Sequence, residues 1–301
     1  MALIHPTAVI ERTALIADDA EIGPYCVIGP HAVIAENCRL VAHVHVTGHT
    51  SIGPRTIIYP FASLGTPPQS VHYRGGPTRL VIGADCDIRE SVTINLGTED
   101  AGGITQIGDR AFFMANTHIA HDCHIGDNVT IAGSTLGGHC TIGRHVFIGG
   151  FSGVHQFTRI GAHAMIGAVT CVRGDVIPFG LANGQIARLV GVNAVGMKRN
   201  GFSRDALSAV RKAYRMLFLD GNLMEARLAA AEAALGAEPA VAEIIAFARA
   251  SARRALCRPG RARASSRGAE VAWRQLDQAH GRIPDERDAP LALAPLDQHG
   301  G

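Results

Sequence analysis

Aliphatic residues recur along this chain with a period of six. From Ile4, steps of six reach Ile10, Ile16, Ile22, Ile28, Ile34, Leu40, Val46, Ile52, Ile58 and Leu64. The series resumes at Ile82, Ile88 and Ile94, and again at Ile107, Phe113, Ile119, Ile125 and Ile131. One step of five leads to Leu136. Steps of six then give Ile142, Ile148, Val154, Ile160, Ile166 and Val172. Of these 26 positions, 25 are aliphatic and one is Phe. Neither a helical period of 3.6 nor a strand period of 2 produces that spacing. The residue four further on is usually small, as at Ala8, Ala14, Cys26, Cys38, Cys86, Cys123, Cys140 and Ala164. Gly often follows the aliphatic, as in Ile22-Gly23 and Ile142-Gly143. This is the hexapeptide signature of a parallel β-helix, in which three hexads close one triangular coil. The aliphatic fills the interior, the small residue fits beside it, and the Gly is expected to permit the turn.

Two stretches break the register: residues 65–81, with Pro67, Pro68 and Pro77, and residues 97–106. Both read as loops thrown out from the coil. Such loops carry function on a rigid scaffold, or are tolerated insertions or flaps against a neighbouring subunit. Repetition ends near Pro178. The spacing then turns helical, with Leu207, Val210, Tyr214, Leu217 and Phe218 on one face. Ser203 is the expected N-cap and Gly221 the expected stop. Further helices are expected from Leu223 to Leu235 and from Pro239 to Leu256, capping the open end of the solenoid. The expected organisation is a β-helix over 1–190, a helical domain over 191–257 and a disordered tail over 258–301.

Composition agrees with a narrow repeat. Gly is 35 of 301 residues and aromatics only 5%, while 47% of residues are apolar, which excludes general disorder. No run reaches the roughly 18 apolar residues of a membrane span, and no signal pattern opens the chain, so a cytoplasmic location without membrane insertion is expected. The seven cysteines then read as thiols, five of them interior fillers. Net charge is +2, which gives no reason to expect a nucleic-acid partner. The sign is uneven: residues 1–197 carry 11 basic and 14 acidic residues, residues 198–301 carry 17 and 12. The basic C-terminal part is either a solvated helical surface or a surface for an acidic partner.

The densest chemistry lies in His118-Ile-Ala-His121-Asp122-Cys-His124, followed by Gly137-Gly138-His139 and His155-Gln156-Phe157. Register places His121, Gly138 and Gln156 in one column, with His139 and His155 beside it and with His121 and Asp122 pointing outward. A His beside a carboxylate is a general base for a hydroxyl. A nearby backbone N–H can hold an oxyanion. The combination suits acyl transfer. Outward polar turns also occur without function, and His31, His43, His45, His49, His145 and His163 are read that way. A zinc site is not expected, because His118, His121 and His124 at spacing three face different ways on a coil.

On these segments, on Ile88–Ile94 and on Gly191-Val-Asn-Ala-Val-Gly-Met-Lys-Arg-Asn-Gly-Phe-Ser-Arg204, the chain resembles the acyl-carrier-protein-dependent UDP-N-acetylglucosamine O-acyltransferase family of lipid A synthesis. The resemblance runs from about His5 to Leu256. It implies an all-β left-handed parallel β-helix with a C-terminal α-helical domain, assembled as a homotrimer with sites between protomers. It implies His121 as general base, Asp122 as its orienting acid and the Gly138 N–H as oxyanion donor. His118, His139 and Gln156 would line the nucleotide-sugar site and His155 the acyl-donor end. Asn193 and Arg199 would hold the nucleotide, and the loop residues Ser70, His72 and Tyr73 the sugar. Ala168 occupies the acyl-chain ruler position, and its methyl should shorten the groove. No cofactor is implied, since 4'-phosphopantetheine arrives on the acyl carrier protein. That carrier is acidic, and Lys198, Arg199, Arg204, Arg211, Lys212 and Arg215 would dock it.

The chain departs from the family pattern at Ser70–Tyr73, at Val195 and Asn200, and in the five-residue step before Leu136, which removes a residue beside Gly138. Three alternatives follow. The first is a paralogue acting on another nucleotide sugar, such as a 3-amino UDP-sugar. The second is a sister N-acyltransferase, which lacks room here for its extra N-terminal domain. The third is a non-catalytic hexapeptide scaffold.

Overall fold

The computed structural model describes residues 2–219, 221–250 and 252–260. The tail expected to be disordered lies, beyond residue 260, outside the described residues. A typical coil has three two-residue strands, such as Glu21–Ile22, Val27–Ile28 and Val33–Ile34. Each pairs in parallel with the strand one coil on: Ile22 with Leu40, Ile28 with Val46, Ile34 with Ile52. The three faces of the prism are thus parallel sheets of 11, 9 and 8 strands, here called the first, second and third face. The second residue of each strand points inward. Ile22, Ile28, Ile34, Leu40 and Val46 are at most 1% exposed. Each buried aliphatic contributes about 1.5–3 kcal/mol, so the six-residue pattern is itself the main stabilising force. Truncating one, for instance Ile131→Ala, should cost about 2–5 kcal/mol.

The turns differ from expectation in one respect. The left-handed backbone falls three residues after the aliphatic, on side-chain-bearing residues such as Tyr25 (φ 57°), Asp122 (φ 58°), His139 (φ 61°) and Phe157 (φ 64°). The Gly that follows the aliphatic has another cause, close stacking of coils. A Cβ on Gly137 would lie 2.7 Å from the Gln156 amide nitrogen.

The two interruptions are bounded by Ser63–Thr66 and Arg79–Ile82, and by Thr93–Asn95 and Ile104–Ile107. Glu99 ties them together: its Oε1 accepts from Gly76 N–H (2.6 Å) and Arg74 N–H (3.2 Å). The five-residue step is absorbed at Gly133 (φ 51°), on the edge between first and second faces. Ile119, Leu136 and Val154 keep their pairing. The missing residue is therefore one prism edge away from Gly138 and not beside it.

An antiparallel hairpin, Gly180–Asn183 with Arg188–Val192, ends the first face. Four helices follow: α1 (Ala194–Arg199), α2 (Arg204–Phe218), α3 (Met224–Leu235) and α4 (Pro239–Arg249). Ser203 caps α2, its Oγ accepting from Ala206 N–H at 3.0 Å. The face of α2 bearing Leu207, Val210, Ala213 and Leu217 is buried. The last helix stops at Arg249 rather than Leu256. Beyond it the chain returns to the coil as an extended strap. Asp175 N–H donates to Ala255 O (2.9 Å), Cys257 N–H to Asp175 O (2.7 Å) and Leu189 N–H to Arg258 O (3.1 Å). Residues 258–260 therefore belong to the ordered body and not to the tail; coils, helices and strap form one compact unit. The interior cysteines are buried thiols, and burial pushes Cys86 up to about 11.

Candidate active site

The site is built on the edge between the second and third faces. His118–Ile119 ends a second-face strand and His124–Ile125 begins the third. Between them the chain turns through His121 and Asp122. The same turn one coil on carries Gly138 and His139, and the next carries Gln156 and Phe157. His139 N–H donates to His121 O (3.0 Å) and Phe157 N–H to Gly138 O (2.9 Å), locking the three turns into a column. The rings follow: His121 meets His139 edge-on at 5.0 Å, and His139 stacks on Phe157 at 4.4 Å.

Asp122 was expected to point outward. It is 3% exposed, because the second loop folds over it. Its Oδ2 accepts from His121 Nδ1–H (2.7 Å) and from Thr98 Oγ1–H (2.6 Å), and its Oδ1 from Thr98 N–H (2.9 Å). Its own N–H donates to Thr105 Oγ1 at 2.8 Å. Burial pushes the Asp122 pKa up, but the bonds from His121 and Thr98 outweigh it and hold the carboxyl below its ordinary value. An ionised carboxylate only accepts, so the His121 proton sits on Nδ1 and the Nε2 lone pair is left for chemistry. That ring lies against Gly138, where an added Cβ would fall 2.6 Å from Cε1 and 2.7 Å from Nε2. Among the described residues nothing accepts from the Gly138 N–H.

His118 hydrogen-bonds Thr93 Oγ1 through Nδ1 (2.7 Å), and burial lowers its pKa. Burial also lowers His139, against the pull of Asp122. His121, Asp122 and His139 offer ligand atoms within 4.8 Å of one another, a grouping different from the His118, His121 and His124 set weighed from spacing. Asp122 Oδ2 is already saturated there by His121 and Thr98, so hydrogen bonding accounts for the cluster.

The other expected residues distribute unevenly. His155 and Gln156 are on the same edge. Ser70 and Tyr73 bond within the first loop: Ser70 Oγ accepts from His72 N–H (3.3 Å) and Tyr73 Oη–H donates to Gly76 O (3.5 Å). Asn193 caps α1, with Oδ1 accepting from Gly196 N–H (2.9 Å) and Nδ2 donating to His163 O (2.9 Å), so its amide is spent inside the fold. Arg199 is exposed at the end of α1, and Asn200 there donates to Gly196 O at 2.8 Å. Ala168 lies on the edge between first and second faces, so one chain alone does not bring it to His121. Residue spacing missed Thr98, Thr105 and Glu99, which reach the site only through the loop closure. It also missed Arg253 and Arg254, which the strap lays beside Phe157, His155 and Gln156. Away from this edge, Lys198, Arg204, Arg211, Lys212 and Arg215 line a cleft of about 600 Å³ between α1 and α2. No helix among the described residues is long and apolar enough to cross a membrane.

A hexapeptide β-helix bearing a His–Asp pair against a glycine N–H defines the class, an acyltransferase. Comparison with known proteins narrows it. A family model described as "Udp N-acetylglucosamine O-acyltransferase; Domain 2" matches residues 175–257, and a bacterial transferase hexapeptide model matches residues 104–138. An acyl-[acyl-carrier-protein]–UDP-N-acetylglucosamine O-acyltransferase from Paracoccus denitrificans is 50% identical over 192 residues, 64% of this chain and 72% of that one. The protein of the same name from Rhizobium etli is 44% identical over 211 residues, 70% and 78% of the two chains. The crystal structure of UDP-N-acetylglucosamine O-acyltransferase from Moraxella catarrhalis superimposes with a TM-score of 0.82 at 40% identity, covering 85% of this chain and 99% of that one. The chain belongs to the acyl-[acyl-carrier-protein]–UDP-N-acetylglucosamine O-acyltransferase family, and its fold is the left-handed parallel β-helix with a helical C-terminus.

Proposed function

We propose that this protein transfers a 3-hydroxyacyl chain from acyl carrier protein to the 3-hydroxyl of UDP-N-acetylglucosamine, the first step of lipid A synthesis. What carries this reading is the His121–Asp122 pair set against Gly138. His121 Nε2 takes the proton of the sugar hydroxyl as its oxygen attacks the thioester carbonyl. The resulting oxyanion is held by the Gly138 N–H. Collapse breaks the C–S bond, and the departing pantetheine sulfur recovers the proton from His121. Asp122, fixed by Thr98, keeps the imidazole in the tautomer that makes this exchange possible.

His118, His139 and Gln156 line the sugar-nucleotide side and His155 the donor side. Ser70, His72 and Tyr73 on the first loop, with Arg199, complete recognition of the acceptor. Asn193 supports it by anchoring α1. Ala168 limits the acyl chain, and its place on a different edge from His121 supports a groove completed by a neighbouring protomer, hence a homotrimer. The acidic carrier fits the five-cation cleft of α1 and α2. The reading places the protein in the cytoplasm, needing no cofactor of its own. Family membership supports the 3-hydroxyl acceptor over the 3-amino sugar and the sister N-acyltransferase reaction. The test offers the purified protein acyl carrier proteins of several chain lengths, with UDP-N-acetylglucosamine and its 3-amino analogue, and identifies products by mass. Turnover with the hydroxyl sugar is expected; no turnover with any pair would defeat the reading.

A further inference from the structure

Two arginines at the end of the strap stand at the site with donors to spare. Arg254 donates from Nε to Gln156 O (3.1 Å) and from a terminal nitrogen to His155 Nδ1 (2.8 Å). A guanidinium has five donors and no acceptor, so Nδ1 of His155 must present its lone pair. The 3.2 Å approach of the same Nδ1 to Gln156 O is then not a hydrogen bond. The ring proton is left on Nε2, so His155 is a donor. Arg253 lies over the Phe157 ring at 4.4 Å, and that ring stacks on His139. A cation seated on an aromatic face keeps its N–H edges outward. Three donors of Arg254 have no recipient among the described residues. Nor is there an acidic partner for either arginine among the ion pairs of the described residues.

The strap is held firmly enough to position them. Its backbone bonds run to Asp175 and Leu189. Asp175 is 0% exposed and accepts from Arg159 Nε at 2.7 Å. Cys257 is buried beside it. Two uncompensated guanidinium groups beside a donor imidazole make a fixed anion site.

We propose that Arg253 and Arg254 form, with the Nε2–H of His155, a phosphate-binding wall of the active site, Arg254 also positioning His155. This rests on the acyl-transfer reading above. Both substrates carry the matching chemistry: the acceptor a diphosphate, the donor arm a phosphodiester. The position on the donor side of the column favours the phosphodiester.

The experiment compares wild type with Arg253→Ala, Arg254→Ala and the double variant, using acyl-phosphopantetheine and acyl-pantetheine as donors. Wild-type turnover with acyl carrier protein is measured first, so that failure of the acyl-transfer reading shows there and not in the variants. The double variant should lose about 10- to 100-fold in kcat/KM, the scale of charge-assisted hydrogen bonds. If the phosphodiester is bound, the wild-type advantage of the phosphorylated donor collapses while the KM for UDP-N-acetylglucosamine holds. If the diphosphate is bound, that KM rises and the donor ratio stays. Both outcomes support the wall. Unchanged kinetics for both substrates would overturn it. Arg254→Lys keeps one donor and should restore part of the loss; it also serves if the alanine variant does not fold. Nitrogen NMR of His155 gives the positioning readout: Nδ1 should report as an acceptor in wild type and Arg254→Lys, and as mixed tautomers in Arg254→Ala. A mixture already present in wild type would refute the positioning role.

Discussion

The imidazole of His121 lies flat against the backbone of Gly138, so close that a single added methyl would fall 2.6 Å from its Cε1. Gly138 therefore serves chemistry through both its free N–H and its missing side chain. Gly138→Ala should fold, because φ there is ordinary and the coil contacts are elsewhere, yet push the ring out of line. Misplacement on that scale costs about a hundredfold in rate. The expected result is a lower kcat of that order with an unchanged melting temperature. A fully active variant would mean that His121 is not the base.

Asp122 sets the tautomer of His121, and Thr98 sets Asp122. Asp122→Asn should lower kcat by between about 100- and 10,000-fold, the range of a general base made unavailable. Thr98→Val removes one of the bonds that lower the Asp122 pKa, while its backbone N–H remains. The loss should be smaller, about tenfold, since a hydrogen bond to a charged group contributes about 1.5–3 kcal/mol. The Asp122 pKa should rise, so the acid limb of the kcat/KM profile moves to higher pH. An unshifted limb would argue that Thr98 does not tune the acid.

The column of His121, Gly138 and Gln156 was legible because a repeat turns sequence spacing into spatial register. The interior was legible for the same reason, one aliphatic per hexad. What escaped came from parts that obey no period. Thr98 and Glu99 act through a loop whose closure depends on contacts 23 to 25 residues away. Arg253 and Arg254 reach His155 and Phe157 from about a hundred residues downstream, by a strap that spacing assigned to a helix. The left-handed turn position was hidden too, since Tyr, Asp, His and Phe all occupy it.

Five cations line the α1–α2 cleft, and Arg211 and Arg215 stand one turn apart on α2. Reversing both to Glu should raise the KM for acyl carrier protein about tenfold or more at low salt, with little change in kcat. The wild-type rate should fall as salt rises, because screening shortens the reach of the charges, and the variant should not follow. Parallel salt curves would remove the cleft as the docking surface.

Ala168 presents a methyl where the groove is expected to end. Ala168→Gly should shift preference toward longer acyl chains, and Ala168→Met toward shorter ones. One methylene of fit is worth about tenfold or more in discrimination. Competition between two acyl carrier protein donors, read by product mass, gives the ratio directly. An identical ratio in all three proteins would place the end of the groove elsewhere.

His163 offers a pH test that does not touch catalysis. Its ring stacks between His145 (4.7 Å) and Phe179 (5.3 Å), with Phe202 edge-on at 5.0 Å, and it is 5% exposed. Burial, then repulsion from His145 and Arg144, pushes its pKa down from 6.5 to about 4. The folded chain therefore favours the neutral ring, whereas the unfolded chain takes up a proton as pH falls through 6.5. The contribution to stability is complete above that pH and is lost on the way down to about 4, at up to about 1.4 kcal/mol per pH unit. Its Nδ1 is buried without a partner among the described residues, so a carbon in its place leaves no bond unmade. Phe is tolerated in this left-handed turn position, as Phe151, Phe157 and Phe179 show. His163→Phe should thus match or exceed wild-type stability at pH 7.5 and lose less of it at pH 5. Denaturant midpoints at the two pH values give the comparison, and an equal drop in both proteins would show that His163 is not the acid-sensitive group.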